Sequence, residues 1–414
     1  MKKKDEFKIA IIDQRGNLGG GKRFSKQFFL NLNKYSEKSK IDFYINPLSF
    51  NDPIYKKFNH KNSRILELNS LKLKEKGILS IKNSNKIIKQ LQNKYKKKFE
   101  FFSPLISGNL KKELEEKLKK YDVAIFLWPY LIDLPKLNIK KIIILHDFNF
   151  KYYFGGPGVY NETETQNLEK SMNKWIKSSY IVVTSNFMLK ELKKFYPYVK
   201  SKKISLIRMG PFTNYIKSKN KNYLLSKYKI KKKYIICPTN DKFHKNIQNL
   251  IKAFYLLQKK RKDIQLVITG PGTKIISGIS LPDKVLLDKS QENIIGLGYV
   301  SDQELDELIS MAEITVNQSL YEPGNGSGLD SWFIGTPVAM SNIPSFREHI
   351  VNLNVKAELF DPQNPLSIFK SLNRILNKNN LEKKRMINLS KKGIEKVSWR
   401  NVIKKYLNFI YKNV

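Results

Sequence analysis

Leu320-Tyr321-Glu322-Pro323-Gly324-Asn325-Gly326-Ser327-Gly328-Leu329-Asp330 is the stretch on which the reading of this chain turns. It follows a β-branched run, Ile314-Thr315-Val316, and leads into a helical pattern that stops at Gly335-Thr336-Pro337-Val338. Glycines at 324, 326 and 328 let backbone N–H groups come close to a ligand, and the N-terminus of the following helix favours anions. Two carboxylates, Glu322 and Asp330, bracket the loop with seven residues between them. Beside an anion site, a carboxylate accepts hydrogen bonds from sugar and ribose hydroxyls. A glycine-rich turn before a helix is also what a plain tight connection looks like, so its surroundings decide.

Working outward, the same strand-then-helix alternation recurs. Tyr234-Ile235-Ile236-Cys237 precedes a helical pattern over residues 246–258, and the strand 265–269 ends at Gly270-Pro271-Gly272. Asn293 to Leu297 precedes a helical stretch over 302–312. In the first half, Phe7 to Ile12 is followed by a helical pattern over 23–32, and further apolar runs lie at 42–45, 123–127, 142–145 and 181–183. Short continuous apolar runs are the mark of parallel strands buried on both faces, with helices on either side. The segment 214–233 is dense in lysine and poor in aliphatics, which places a boundary near residue 215. The pattern predicts an α/β chain of two Rossmann-like, doubly wound domains that face each other across a cleft at the carboxyl ends of their strands.

Composition narrows the class. A chain of 414 residues with 41% hydrophobic content is long enough for two or three domains and too apolar for general disorder. Its one cysteine, Cys237, rules out an internal disulfide and a cysteine metal cluster, as suits a reducing cytosol. No window reaches the roughly 18 apolar residues of a membrane span, the run 123–134 being broken by Pro129 and Asp133. The 77 Lys and Arg against 36 Asp and Glu leave a net charge of +41. That field attracts phosphate groups on nucleotides or lipid heads. It is equally what a lysine-, asparagine- and isoleucine-rich composition produces with no partner. Lys86 to Tyr121, with Lys94-Tyr95-Lys96-Lys97-Lys98-Phe99 and Phe101-Phe102, reads either as a basic membrane-interface patch or as a solvated helix with core-facing aromatics.

The loop around Glu322 resembles the signature of family-4 (group 1) glycosyltransferases, where two glutamates with seven residues between them flank a glycine-containing loop ahead of a Gly-Thr-Pro-Val strand. Leu297-Gly298-Tyr299-Val300-Ser301-Asp302 resembles that family's strand and turn beside the nucleotide base, and Leu266 to Gly272 its preceding strand. Phe243-His244-Lys245-Asn246 is similar to the segment bearing its phosphate-binding lysine. The resemblance covers nearly all of the second half and implies a GT-B fold. It assigns 1–214 to an acceptor-side domain, 215–395 to a nucleotide-sugar domain, and 396–414 to a helix crossing back onto the first. It further implies that Glu322 touches the donor sugar, Asp330 the ribose hydroxyls, and Lys245 the diphosphate. Tyr299 and Val300 would flank the base, while Gly324, Asn325, Gly326, Ser327, Gly328 and Leu329 complete the donor site through backbone groups. Two departures stand out. The second acid is aspartate, and Asn240 replaces an arginine common five residues before the lysine, a duty Lys242 is placed to share.

In the first half, Asp13 to Gly21 links the first strand to the first helix, and Gly19 and Gly20 are expected to approach the donor. A merely flexible turn is the competing reading. His146 ends the strand 142–145 at the cleft edge and resembles the family's histidine between donor sugar and acceptor. The function implied is retaining transfer of a hexose from a GDP-mannose-like or UDP-sugar donor to a glycan or lipid-linked acceptor in surface polysaccharide or glycoconjugate synthesis. No metal or other cofactor is expected, the location expected is cytoplasmic or peripheral on the inner membrane face, and an anionic membrane is a candidate partner. Two alternatives stand beside it. A catalytically silent scaffold would share the fold. A basic nucleic-acid-binding protein would explain the charge, but no zinc module, RNP-type strand or helix-turn-helix supports one.

Overall fold

The computed structural model describes residues 7–14, 20–35, 39–50, 52, 55, 63–71, 104–152, 162–215, 221–274 and 293–413. Gly19 and the basic-aromatic cluster at 94–102 lie outside these residues.

Two parallel sheets carry the structure. The first orders its strands β3-β2-β1-β4-β5-β6-β7, from β1 (Lys8–Asp13), β2 (Lys40–Ile45), β3 (Ser63–Glu67), β4 (Val123–Phe126), β5 (Lys140–Leu145), β6 (Tyr180–Val183) and β7 (Ile204–Leu206). In the second the order is β10-β9-β8-β11-β12-β13, from β8 (Lys233–Pro238), β9 (Ile264–Thr269), β10 (Ile294–Gly298), β11 (Ile314–Asn317), β12 (Val338–Ser341) and β13 (Glu358–Phe360). With all strands parallel, the order in which the chain adds them switches to the opposite edge between β1 and β4, and again between β8 and β11. Open α/β sheets bind ligands at such switch points.

The apolar runs follow from alternation along a strand. Ile9 and Ile11 face one core, with Ile142 and Ile144. Ala10 and Ile12 face the opposite core, with Ile143 and Leu145. In the second sheet Ile235 and Cys237 point one way, Tyr234 and Ile236 the other. Among the helices packed on the opposing faces are α1 (Gly20–Tyr35), α2 (Asn186–Phe195), α3 (Ile247–Gln258), α4 (Asp302–Met311), α5 (Gly326–Ile334), α6 (Pro344–Leu353) and α7 (Trp399–Asn413).

Local chemistry sets their ends. Ser301 caps α4 and Glu304 returns the bond to the Ser301 N–H, a reciprocal capping box. Asn325 caps α5, and Gly335 ends it in the left-handed region at φ 103°, where a side chain would be strained. In α7, Trp399, Val402, Ile403, Tyr406, Phe409 and Ile410 make one buried stripe. That stripe packs into the core of the first sheet, with Tyr406 edge-on to Phe28 of α1 at 4.9 Å. Trp399 also donates its indole N–H to the Pro211 carbonyl at 2.6 Å, tying the last helix to the segment that joins the two sheets.

Candidate active site

Between the two sheets lies a cavity of about 300 Å³. Its walls come from the loops after β1, β5, β8, β9, β10 and β11, that is, from the carboxyl ends of strands in both domains. This is where parallel sheets present backbone groups and helix N-termini to a ligand.

Lys245 and Glu322 meet in it. Lys245 ends a short turn, Phe243–Lys245, after β8; Asn246 then takes a left-handed conformation at φ 54° and starts α3. The turn is fixed from outside by Gln318, whose amide donates to the Lys245 carbonyl at 2.6 Å while its side-chain oxygen receives the buried Cys237 thiol. Lys245 Nζ forms an ion pair with Glu322 Oε1, which also accepts from Ser319 Oγ at 2.9 Å. Ser345 at the start of α6 donates to the Glu322 carbonyl. The pair is about four-fifths buried, so its charges are little screened and its orientation is held from three sides.

The glycine loop divides in two. Gly324, Asn325, Gly326 and Ser327 line the cavity. The Asn325 side chain is occupied as the helix cap, accepting from the Gly328 N–H at 3.0 Å and from Asn317 Nδ2 at 2.9 Å. The Gly328 N–H is therefore spent on the cap, and the Leu329 N–H bonds the Asn325 carbonyl, with the Leu329 side chain in the hydrophobic core. Neither residue lines the cavity, contrary to expectation. The backbone of Gly326 and Ser327, at the first turn of α5, remains at the cavity wall.

Asp330 departs furthest from expectation. It is fully buried and is not part of the cavity wall. Its Oδ1 accepts from the Phe212 N–H at 2.5 Å and its Oδ2 from Arg23 Nη1 at 2.6 Å. Asp330 thus binds the first domain and the interdomain segment, and is not placed to meet ribose hydroxyls. Arg23, from α1, goes on to donate from Nη2 to Asp306 at 2.8 Å, while Asp302 Oδ1 stands 3.4 Å from its Nε. Three carboxylates of the second domain converge on one guanidinium of the first.

The remaining expected residues fall as follows. Gly20, Asn240, Tyr299 and Val300 line the cavity; Lys242 does not and is exposed. Asn240 turns its side-chain oxygen onto the Lys242 N–H at 3.1 Å. Gly270, at φ 131°, lies so close to the Thr239 carbonyl that a Cβ would stand 1.7 Å from its oxygen, which keeps this wall bare backbone. His146 lines the first-domain wall, stacked on Trp128 at 4.1 Å and edge-on to Phe24 at 4.8 Å. Its Nε2 is 3.1 Å from the Leu127 carbonyl, a contact only an N–H can make. Trp128, Arg23, Asp147 and Asp302 were not singled out from sequence as site residues, yet all line the cavity. For Arg23 no local signal exists, since its partners lie some 280 to 307 residues away. Among the described residues no group of three His, Cys, Asp or Glu side chains is arranged to hold a metal ion.

A second set of contacts joins the domains beyond the cavity. Glu348 of α6 accepts from the Asn186 and Phe187 N–H groups at the start of α2 and pairs with Arg208 at 2.9 Å. Ser185, the cap of α2, donates to the Pro323 carbonyl beside Glu322 at 2.9 Å.

The buried aspartates give a pH signature. Burial pushes Asp306 up to about 6; Arg23 pulls the other way and Asp330 adds to the rise. Its folded value is above its unfolded one, so its contribution to stability is fully present below about pH 4 and is lost as pH rises through about 6. Relative to Asp306→Asn, the wild type is expected to gain on the order of 2 to 3 kcal/mol between pH 7 and pH 4. Urea midpoints of both proteins across that range measure it; parallel pH curves would show that Asp306 does not titrate in this way.

Residues 224–393 match the family described as "Glycosyl transferases group 1". An uncharacterized glycosyltransferase of Methanocaldococcus jannaschii is 30% identical over 170 residues, 41% of this chain and 42% of that protein. O-antigen chain mannosyltransferase B of Escherichia coli is 25% identical over 235 residues, 54% of this chain and 59% of that one. The alignments thus span about half the length of these curated relatives. Among solved structures, a sucrose-phosphate synthase of Thermosynechococcus elongatus superposes with a TM-score of 0.69 at 15% identity, over 98% of both chains. The Anabaena protein HepE, solved with UDP and glucose, gives 0.65 at 11% identity over 99% of this chain and 100% of that one. At such identities the structural likeness shows the fold alone.

Proposed function

With a group 1 glycosyltransferase domain over residues 224–393 as the premise, we propose that the protein is a retaining, metal-independent hexosyltransferase using a nucleoside-diphosphate sugar. The observation that carries this reading is the Lys245–Glu322 pair, held in the interdomain cavity beside the first turn of α5. Transfer breaks the bond between the anomeric carbon and the diphosphate, and forms one to an acceptor hydroxyl on the same face. Two negative charges gather on the leaving group while positive charge develops on the sugar. Lys245 and the N–H groups at Gly326 and Ser327 are suited to the first, and the Glu322 carboxylate to the second. The acceptor proton passes to the departing phosphate. His146, in the first-domain wall of the cavity, is proposed to face the sugar and the acceptor.

The acceptor class proposed is a glycan or lipid-linked glycan in surface polysaccharide synthesis, in line with the O-antigen mannosyltransferase among the relatives. The proposed site of work is the cytoplasmic face of a membrane. Among the described residues no helix is long and apolar enough to cross one. The +41 charge then serves surface attachment. Binding to vesicles containing anionic lipid is expected at low salt, with release as salt rises, because exposed charges are screened beyond about 10 Å at 0.1 M. Equal binding to neutral vesicles in a sedimentation assay would refute it.

Release of nucleoside diphosphate across a panel of UDP- and GDP-sugars, with and without glycan acceptors and with chelator present, tests the whole reading. One observation favours the silent-scaffold reading: Asp330, the second acid of the signature, is committed to an interdomain ion pair. Binding without turnover for every donor would select it.

A further inference from the structure

Glu322 belongs to the second domain, yet the residues on either side of it are held by the first. Tyr321, in the segment leading out of β11, is only 6% exposed. It buries its ring against the first domain, 5.1 Å from Tyr152 and 5.7 Å from Phe187 at the start of α2. Its hydroxyl oxygen accepts the buried Phe148 N–H at 3.1 Å. Phe148 lies two residues beyond His146, with its own side chain in the first-domain core. On the other side of Glu322, the Pro323 carbonyl accepts from Ser185 Oγ at 2.9 Å. Ser185 is fixed in turn, because the same oxygen caps α2 by accepting the Met188 N–H at 3.1 Å.

These contacts bear directly on the carboxylate. The Glu322 side chain meets Lys245 and Ser319, both of the second domain, but its backbone runs between two interdomain hydrogen bonds. The Phe148 bond joins the residue before Glu322 to the loop that carries His146, so it sets the span between the two walls of the cavity. Breaking it leaves a buried N–H unmatched, which strongly favours one seat for the Tyr321 ring. By contrast, Lys245, Gly326 and Ser327 stand in the second domain alone and have no such tie.

We propose that Tyr321 is a positioning residue for sugar transfer, whose hydroxyl, held by the Phe148 N–H, aligns Glu322 with the first-domain wall of the cavity. This rests on the transferase reading and deepens it. The groups suited to the diphosphate are complete within one domain, whereas the carboxylate suited to the sugar is in place only when the two domains are packed together.

Tyr321→Phe keeps the ring in its seat and deletes only the hydroxyl. With the donor and acceptor that the wild type turns over fastest, kcat is expected to fall by roughly 5- to 30-fold, as for a buried hydrogen bond lost at the transition state. Calorimetric affinity for the nucleoside diphosphate should stay within about twofold, circular dichroism confirming that the variant is folded at the assay temperature. In a Glu322→Ala background, where no carboxylate remains to be aligned, adding Tyr321→Phe should slow transfer by about twofold at most. A general loosening of the structure would instead lower affinity along with rate, and would keep its penalty in that background. Unchanged kcat in Tyr321→Phe, a fall in affinity matching the fall in rate, or a larger penalty in the Glu322→Ala background overturns this assignment alone. A wild type that transfers from no nucleotide sugar overturns the transferase reading, and the assignment with it.

Discussion

Lys245→Ala is expected to lower sugar transfer by about 100- to 1000-fold and to weaken nucleoside diphosphate binding as well. The magnitude is that of removing one preorganised electrostatic partner from the charge that develops on a leaving group. The geometry explains why this lysine, in a chain with 77 basic residues, should matter so much. Its backbone is pinned by Gln318, its side chain is mostly buried, and its ammonium is already directed into the cavity by Glu322. No reorganisation is then needed when the diphosphate arrives. Lys242, three residues earlier, is exposed and off the cavity wall, so Lys242→Ala should stay near wild type. Steady-state rates and diphosphate titrations on the two purified variants check both halves. Wild-type turnover in Lys245→Ala would remove the lysine from the mechanism.

Glu322→Gln is expected to divide binding from chemistry. The amide keeps the shape and can still accept from Ser319, but the negative charge beside the reacting sugar is gone. Turnover should fall by about 100-fold or more, while affinity for nucleoside diphosphate is held or improved, because Lys245 loses its resident anion. An interaction that strengthens only as the sugar gains positive charge shows in kcat and not in ground-state binding. The double variant Lys245→Ala/Glu322→Gln should be slower than either single variant, since the two side chains act on different charges, and its departure from additivity measures their ion pair. A Glu322→Gln enzyme with weakened binding and unchanged kcat would reverse the assignment.

Much of this was legible in the residues because the determinants are local. Strands buried on both faces must be apolar at every position, and Ile142-Ile143-Ile144-Leu145 supplies both cores of the first sheet from four consecutive side chains. The turn carrying Lys245 and the capped start of α5 are likewise set by near neighbours, Asn246 and Asn325. A motif of this kind identifies the wall of a site before the fold is known. It can also mislead within a single turn. Gly328 and Leu329 belong to the same run as Gly326 and Ser327, yet the Asn325 cap and the hydrophobic core claim them.

By itself, then, the sequence determined the doubly wound architecture, the cleft between the domains, and the identity of the lysine and the glutamate that meet there. The architecture follows from periodicity, and the lysine and the glutamate from the resemblance of their short motifs to a family's. Only the tertiary structure decided which carboxylates line the cavity. Asp330 was the expected one, and whether it reaches the cavity depends on a guanidinium 307 residues away that seals it against the interdomain segment. Trp128 beneath His146 and Glu348 on the start of α2 are of the same kind. A buried charge must find its counter-charge wherever the packing of two domains brings one, and nothing in the neighbouring residues records that choice.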